Sequence, residues 1–297
     1  MKAQLIALLI AVSIKNYAQE VKVSNGSIHS YPNFQSHFVD ARRVDIWLPE
    51  NYSNQKKYDV LYMQDGQMLF DSSNTWNHQE WQVDETVGKL LKEGKINDPI
   101  VVGIYNNGAY RRTEYFPENA LTYLPSPTKD TLISKYLMYK PLANNYLHFL
   151  IEELKPFVDN NFSSNPSTLH TFIAGSSMGA LISMYAICEY PKVFGGAACI
   201  STHWPGISKQ NTEIPWAFFS YLKNKLPTPK THKIYFDLGT ETLDSLYKAH
   251  QTTADSLMLE KGFTSQTWVT KEFTGANHTE KAWSKRLEIP LLFLQKK

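Results

Sequence analysis

Cysteine is scarce: the 297-residue chain has two, Cys188 and Cys199. Both lie in apolar runs, so two buried free thiols are expected. Neither a disulfide-rich scaffold nor a zinc site on paired cysteine spacings is open to this chain. An excess of either charge is missing too, with 30 Lys and Arg against 28 Asp and Glu. Residues 1–18 carry Lys2 and Lys15 and no acid, so without them the counts are equal at 28. Such a chain has no global field to draw it to nucleic acid, and no nucleic-acid partner is expected. There is no H-E-x-x-H, and the histidines are scattered singly. There is no P-loop, and Gly103 to Gly108 lacks the middle glycine of a dinucleotide fingerprint. No metal and no cofactor is therefore expected. Repeats and low-complexity blocks are absent, and no apolar run reaches the roughly 20 residues of a membrane-spanning helix.

What is present is ordinary globular composition, 42% hydrophobic and 20% charged, with aromatics at 13% that suit a deep core or an aromatic-lined cleft. The N-terminus reads as a signal peptide. Lys2 precedes an apolar stretch over 5–14, and Ala18 stands before Gln19 at a plausible cleavage point. The expected organisation is a leader over 1–18 and one domain over 19–297, secreted or periplasmic.

Short apolar runs at 43–48, 58–63, 99–104, 169–174, 196–200, 233–238 and 267–271 read as strands. Apolar residues at helical spacing over 144–160 (Tyr146, Phe149, Leu150, Leu154, Phe157) and the stretch 178–190 read as helices. This alternation predicts an α/β fold with a mostly parallel sheet, whose site lies at the carboxyl ends of the strands. Residues 106–140, with Pro117, Pro125, Pro127 and several tyrosines, break the alternation. They read as an excursion, or lid, over the site.

The sharpest motif is Gly175-Ser176-Ser177-Met178-Gly179, between the strand Thr171-Phe172-Ile173-Ala174 and a helix opening at Ala180. That is the strand–turn–helix context of a nucleophile elbow. The turn is tight enough to need small flanking residues, and it lifts the Ser177 hydroxyl clear of the sheet. Ser176 lacks the symmetric glycine flanks. The Met178 N–H, at the helix start, can face an oxyanion. A second such donor is expected from the Asp65-Gly66-Gln67 loop, where Gly66 permits close approach and the Gln67 N–H is the candidate.

In this fold the order is serine, acid, histidine. Of nine histidines, His250 falls in a stretch read as a helix. His278, in Gly275-Ala276-Asn277-His278, follows the last strand, where a base can reach Ser177. After the strand at 233–238, either Glu241 or Asp244 can accept from the imidazole, with Asp244 slightly preferred. Asp237, in the strand itself, is a weaker choice. Arg112, or its neighbour Arg111, could hold a substrate carboxylate or phosphate by a bidentate pair, or form a structural ion pair. Trp204 could stack on a sugar or aromatic acyl group, or be a core tryptophan.

Taken together, these stretches resemble the esterase group of α/β hydrolases that holds esterase D, feruloyl and acetyl-xylan esterases, and siderophore trilactone esterases. The resemblance rests on Tyr62 through Asp71, Gly175 through Ala180, Gly239 through Asp244, and Gly275 through His278. It is supported by Trp81 with Asp84-Glu85, Arg112 with Glu114-Tyr115, and Ser201-Thr202-His203-Trp204-Pro205. It spans about residues 30 to 295. It implies an α/β-hydrolase fold, Ser177 as nucleophile and His278 as base. Some members place the acid three or four residues after the glycine; here the candidates stand two and five after Gly239, so the acid stays open. With the export signal, it implies ester hydrolysis on a small-molecule or saccharide ester, acetylated or feruloylated. A siderophore lactone ranks second. An acyltransferase on the same fold and a non-catalytic binding module are the other classes.

Overall fold

The structure is a computed structural model that describes residues 20–138 and 140–295. The expected leader at 1–18 lies outside them. Eight strands form one sheet in the order β1-β2-β4-β3-β5-β6-β7-β8. They are β1 (Ser27–Phe34), β2 (Arg42–Leu48), β3 (Asp59–Gln64), β4 (Pro99–Ile104), β5 (Thr171–Ser176), β6 (Gly196–Ile200), β7 (Lys233–Gly239) and β8 (Trp268–Phe273). β2 runs antiparallel to both β1 and β4, and every pairing from β4 to β8 is parallel.

Each inner strand feeds two apolar layers, because successive side chains point to opposite faces. In β3, Val60 and Tyr62 enter one layer while Leu61 and Met63 enter the other. Both faces are covered, which is why β3, β4, β5 and β6 are buried along their whole length. The helix Met178–Glu189 is buried at every residue but Glu189. It is apolar all round, as a helix enclosed on all sides must be. This is an α/β-hydrolase fold.

The parallel register brings the carboxyl ends of β3, β5, β6, β7 and β8 to one edge. The residues that follow them are Asp65, Ser177, Ser201, Thr240 and Thr274, so five loops converge there.

Several expected boundaries shift. β5 starts at Thr171, and Leu169 lies 64% exposed in the turn before it. β1 was not foreseen from sequence. The helix expected over 144–160 spans Ala143–His148 to Lys155–Asn161 with a π-helical stretch, Phe149–Leu154, between them. The excursion at 106–140 is a chain of short turns that includes Arg111–Tyr115, Glu118–Tyr123 and Ser126–Thr131. Its Tyr115, Phe116, Leu121 and Leu132 are buried in the larger core layer. Cys188 and Cys199 are both buried and free. No helix among the described residues is long and apolar enough to cross a membrane.

Candidate active site

Ser177 sits between β5 and the helix Met178–Glu189 with φ 58° and ψ −121°. This is a sparsely populated conformation for a residue with a Cβ, and such strain persists only where the surroundings enforce it. The Ser177 N–H donates to the Ile200 carbonyl at 3.0 Å, and its own carbonyl accepts from Ala180 at 3.1 Å and His203 at 3.3 Å. The flanking glycines leave no room for side chains. A Cβ on Gly175 would lie 2.6 Å from the Gly179 oxygen, and one on Gly179 would lie 3.1 Å from Gln64 Cβ. The hydroxyl is carried to the floor of a cleft of about 460 Å³ that His278 also lines.

His278 follows β8. Its N–H is held by the Thr242 hydroxyl at 2.9 Å, and its Nδ1 lies 2.5 Å from Asp244 Oδ1. The ring meets Trp283 edge-on at 5.0 Å and Tyr247 edge-on at 5.8 Å. Asp244 is fully buried. Its other oxygen accepts from the Gly239 N–H and the Ser201 hydroxyl, both at 2.6 Å. Burial pushes the Asp244 carboxyl up. The His278, Ser201 and Gly239 bonds outweigh it and hold the group below its usual range. The two carboxylates are placed differently. Asp244 faces the imidazole, whereas Glu241 is exposed three residues earlier and makes no bond to His278. His250, on the helix Lys248–Glu260, pairs with Gln210 instead.

Behind Asp244 lies a network that sequence reasoning missed. The Ser201 hydroxyl donates to Asp244 and accepts from Trp283 Nε1 at 3.0 Å and an Arg286 nitrogen at 2.8 Å. The same Arg286 nitrogen lies 2.9 Å from Asp237. Asp237 is thus Arg286's partner and does not touch His278. Ser201 was visible only as part of a familiar stretch. Arg286 comes from the far end of the chain and carries no local signal.

The loop after β3 is built on Asp65, held left-handed at φ 57°. Its carboxylate takes a bidentate pair from Arg111 at 2.6 and 2.7 Å and a bond from Asn106 at 2.7 Å. A Cβ on Gly66 would lie 2.7 Å from the Gly103 backbone, so only glycine lets the loop press on β4. Among the described residues, neither the Met178 N–H nor the Gln67 N–H donates a hydrogen bond.

Two expected substrate contacts are corrected. The bidentate arginine at the cleft is Arg111, not Arg112. Arg112 donates to the Gly206 carbonyl at 3.1 Å and lies over the Tyr136 ring. Trp204 is wholly buried against Phe219 and Phe236, with its Nε1 on Gln251, so it cannot stack on substrate. The tryptophan open to the cleft is Trp76, 83% exposed at its rim. Among the described residues, no group of three or more His, Cys, Asp and Glu is placed to hold a metal ion.

The family described as "Putative esterase" matches residues 36–294. The chain belongs to this esterase family. Among its relatives, YbbA of Bacillus subtilis, an uncharacterized protein, is 25% identical over 86% of this chain and 92% of its own. An endo-1,4-beta-xylanase/feruloyl esterase of Xylanibacter ruminicola is 25% identical over 68% of this chain and 25% of that longer protein. Among solved structures, the enterobactin esterase FES of Shigella flexneri superposes with a TM-score of 0.66 at 16% identity, over 92% of this chain. The present chain spans 60% of that protein's length. A ferulic acid esterase of Anaeromyces mucronatus superposes with a TM-score of 0.60 at 18% identity, over 96% of this chain and 97% of its own.

Proposed function

We propose that this esterase cleaves carboxylic esters through an acyl-enzyme on Ser177, with His278 as base and Asp244 as the acid that orients it, and that its substrates are acylated saccharides. The observation that carries the reading is one cleft holding a strained elbow serine and an imidazole whose Nδ1 is fixed by a buried carboxylate. With Nδ1 held, Nε2 is the nitrogen that takes the Ser177 proton as Oγ attacks the ester carbonyl. The unengaged N–H groups of Met178 and Gln67 receive the oxyanion. Loss of one such donor commonly costs about 2.7–4 kcal/mol of transition-state stabilisation. His278 then returns the proton to the departing alcohol. Water, activated by the same imidazole, releases the acid and restores the serine.

The saccharide reading rests on the rim. Trp76 offers an open ring face, and Asn77, Gln79 and Asn106 line the same cleft with amides suited to hydroxyl groups. The feruloyl esterase relatives point the same way. The cleft's cation is already matched: Asp65 neutralises Arg111, and Glu280 adds an acid. That balance favours a neutral ester over an anionic iron-loaded catecholate. The apolar leader pattern at 5–14 supports export to the periplasm or beyond.

A panel of acetylated and feruloylated oligosaccharides beside a trilactone siderophore, with products identified by mass, tests the substrate class. Release of acetate or ferulate is expected, and turnover of the trilactone alone rules the saccharide reading out. An added alcohol acceptor that diverts the acyl group would reassign the protein as an acyltransferase.

A further inference from the structure

The loop that carries Gln67 is gripped from the excursion at 106–140. Asp65 opens it at φ 57° and ψ 48°, a conformation uncommon for a residue with a side chain. Every polar group of Asp65 is engaged. Its N–H donates to the Tyr115 hydroxyl at 3.4 Å, and its carbonyl accepts from Met68 at 2.9 Å. Its carboxylate takes the Arg111 fork, Nε on Oδ1 at 2.6 Å and Nη2 on Oδ2 at 2.7 Å, besides the Asn106 amide. Asn106 also reaches Gln67 itself, donating its backbone N–H to the Gln67 side-chain oxygen at 3.3 Å. The guanidinium in turn lies 5.1 Å from the centre of the Tyr115 ring, so one tyrosine supports both members of the pair. The Asp65 carboxylate also abuts the elbow, since a Cβ on Gly179 would lie 3.2 Å from its Oδ2. Asp65 thus joins the segment that carries the Gln67 N–H to the one that carries the Met178 N–H.

We propose that Arg111 is a positioning residue for the oxyanion hole: its fork holds Asp65 in the left-handed turn that keeps the Gln67 N–H beside the Met178 N–H. This rests on the reading of Ser177 as nucleophile and of those two N–H groups as the oxyanion donors. Arg111 acts through Asp65. A planar guanidinium that spends two nitrogens on one carboxylate fixes its orientation as well as its position. A substrate anion would have to compete with that carboxylate for the same fork. Without the fork, Asp65 is free to leave a sparsely populated conformation, because such conformations persist only where their surroundings enforce them. The N–H two residues on then turns away from the place where charge develops. That charge exists only in the transition state and the intermediate, so the loss falls on the chemical step and not on ground-state binding. The excursion is on this account part of the frame of the site, and its Arg111 must stay in place through the reaction.

Arg111→Ala and Arg111→Lys in the full chain test this on p-nitrophenyl acetate, a neutral ester with no anionic group for a cation to hold. In Arg111→Ala, kcat/KM should fall about 10²-fold, the cost of displacing a catalytic group by about 1 Å. Arg111→Lys keeps the charge without the fork and should recover only part of the loss. It carries the test alone if Arg111→Ala does not fold. A trifluoromethyl ketone supplies the readout that a merely structural role would not move. Ser177 Oγ adds to its carbonyl, the serine proton passes to His278, and the product is a hemiketal whose oxyanion needs the hole. Its inhibition constant should rise in step with the loss of kcat/KM. The corresponding alcohol forms no oxyanion, and its affinity should stay within about twofold of wild type. Unchanged kcat/KM in Arg111→Lys and in any folded Arg111→Ala overturns the positioning role, and so does an alcohol whose affinity falls as far as the ketone's. Turnover that survives in Ser177→Ala overturns instead the nucleophile assignment beneath it.

Discussion

Asp244 and Glu241 stand three residues apart, yet the turn buries one beneath His278 and leaves the other in water. Asp244→Asn should therefore lower kcat by roughly 10⁴, by favouring the wrong imidazole tautomer, while Glu241→Gln stays within about twofold. Steady-state kinetics on any accepted ester checks both. That Ser177 and His278 line one cleft was legible because elbow and loop are local patterns. The choices between adjacent or like residues were not. Arg111 and Arg112 are neighbours on one short helix, where each step turns a side chain by about 100°, so only the packed fold shows which one faces Asp65. Whether Trp204 faced cleft or core likewise depended on strands and helices distant in sequence. Two opposite outcomes follow. Trp76→Ala should raise KM severalfold on a saccharide ester and leave the urea midpoint unchanged, since its ring is open to water. Trp204→Ala should cost about 3–5 kcal/mol of stability, because a fully buried ring leaves a cavity.

The strands were readable where both faces are buried, since an unbroken apolar run admits few other readings, and they shifted by only a residue or two. β1 escaped because it is an edge strand, Ser-Ile-His-Ser-Tyr-Pro-Asn-Phe, with polar residues and a proline that suit an edge and resemble a loop. The segment at 106–140 escaped for another reason. Turns of three to six residues are too short to display a helical period, although their aromatic residues join the core. The elbow is the element on which the account depends most. Gly175→Ala would drive a methyl group into the Gly179 carbonyl. It should destabilise the protein by about 1–3 kcal/mol in urea titration and displace the serine, lowering activity more than stability alone explains. Wild-type stability with full activity in that variant would show the turn to be looser than described.

Across the molecule, one buried carboxyl, Asp237, and one half-buried, Glu85, shape the dependence of stability on pH. Burial raises Asp237 to about 6, against the opposing pull of Arg286, and burial beside Asp84 raises Glu85 to about 7. Each binds its proton more tightly folded than unfolded, so its contribution is full below about pH 4 and lost as pH rises through the folded value. Stability should thus fall between about pH 4 and 7, and Glu85→Gln, which cannot ionise, should flatten the upper part of that fall. Urea midpoints at several pH values test this, and an unchanged slope in the variant would refute it. Asp244 has the opposite sign: its lowered value makes its contribution present above the ordinary carboxylate range and lost only as pH falls through the folded value. The carboxylate bonded to His278 Nδ1 therefore stays ionised in mild acid. All of this supports one serine at one elbow. The most direct test is p-nitrophenyl acetate hydrolysis by the wild-type chain beside Ser177→Ala. The account predicts turnover by the first and none above background by the second. Equal turnover by both would contradict it.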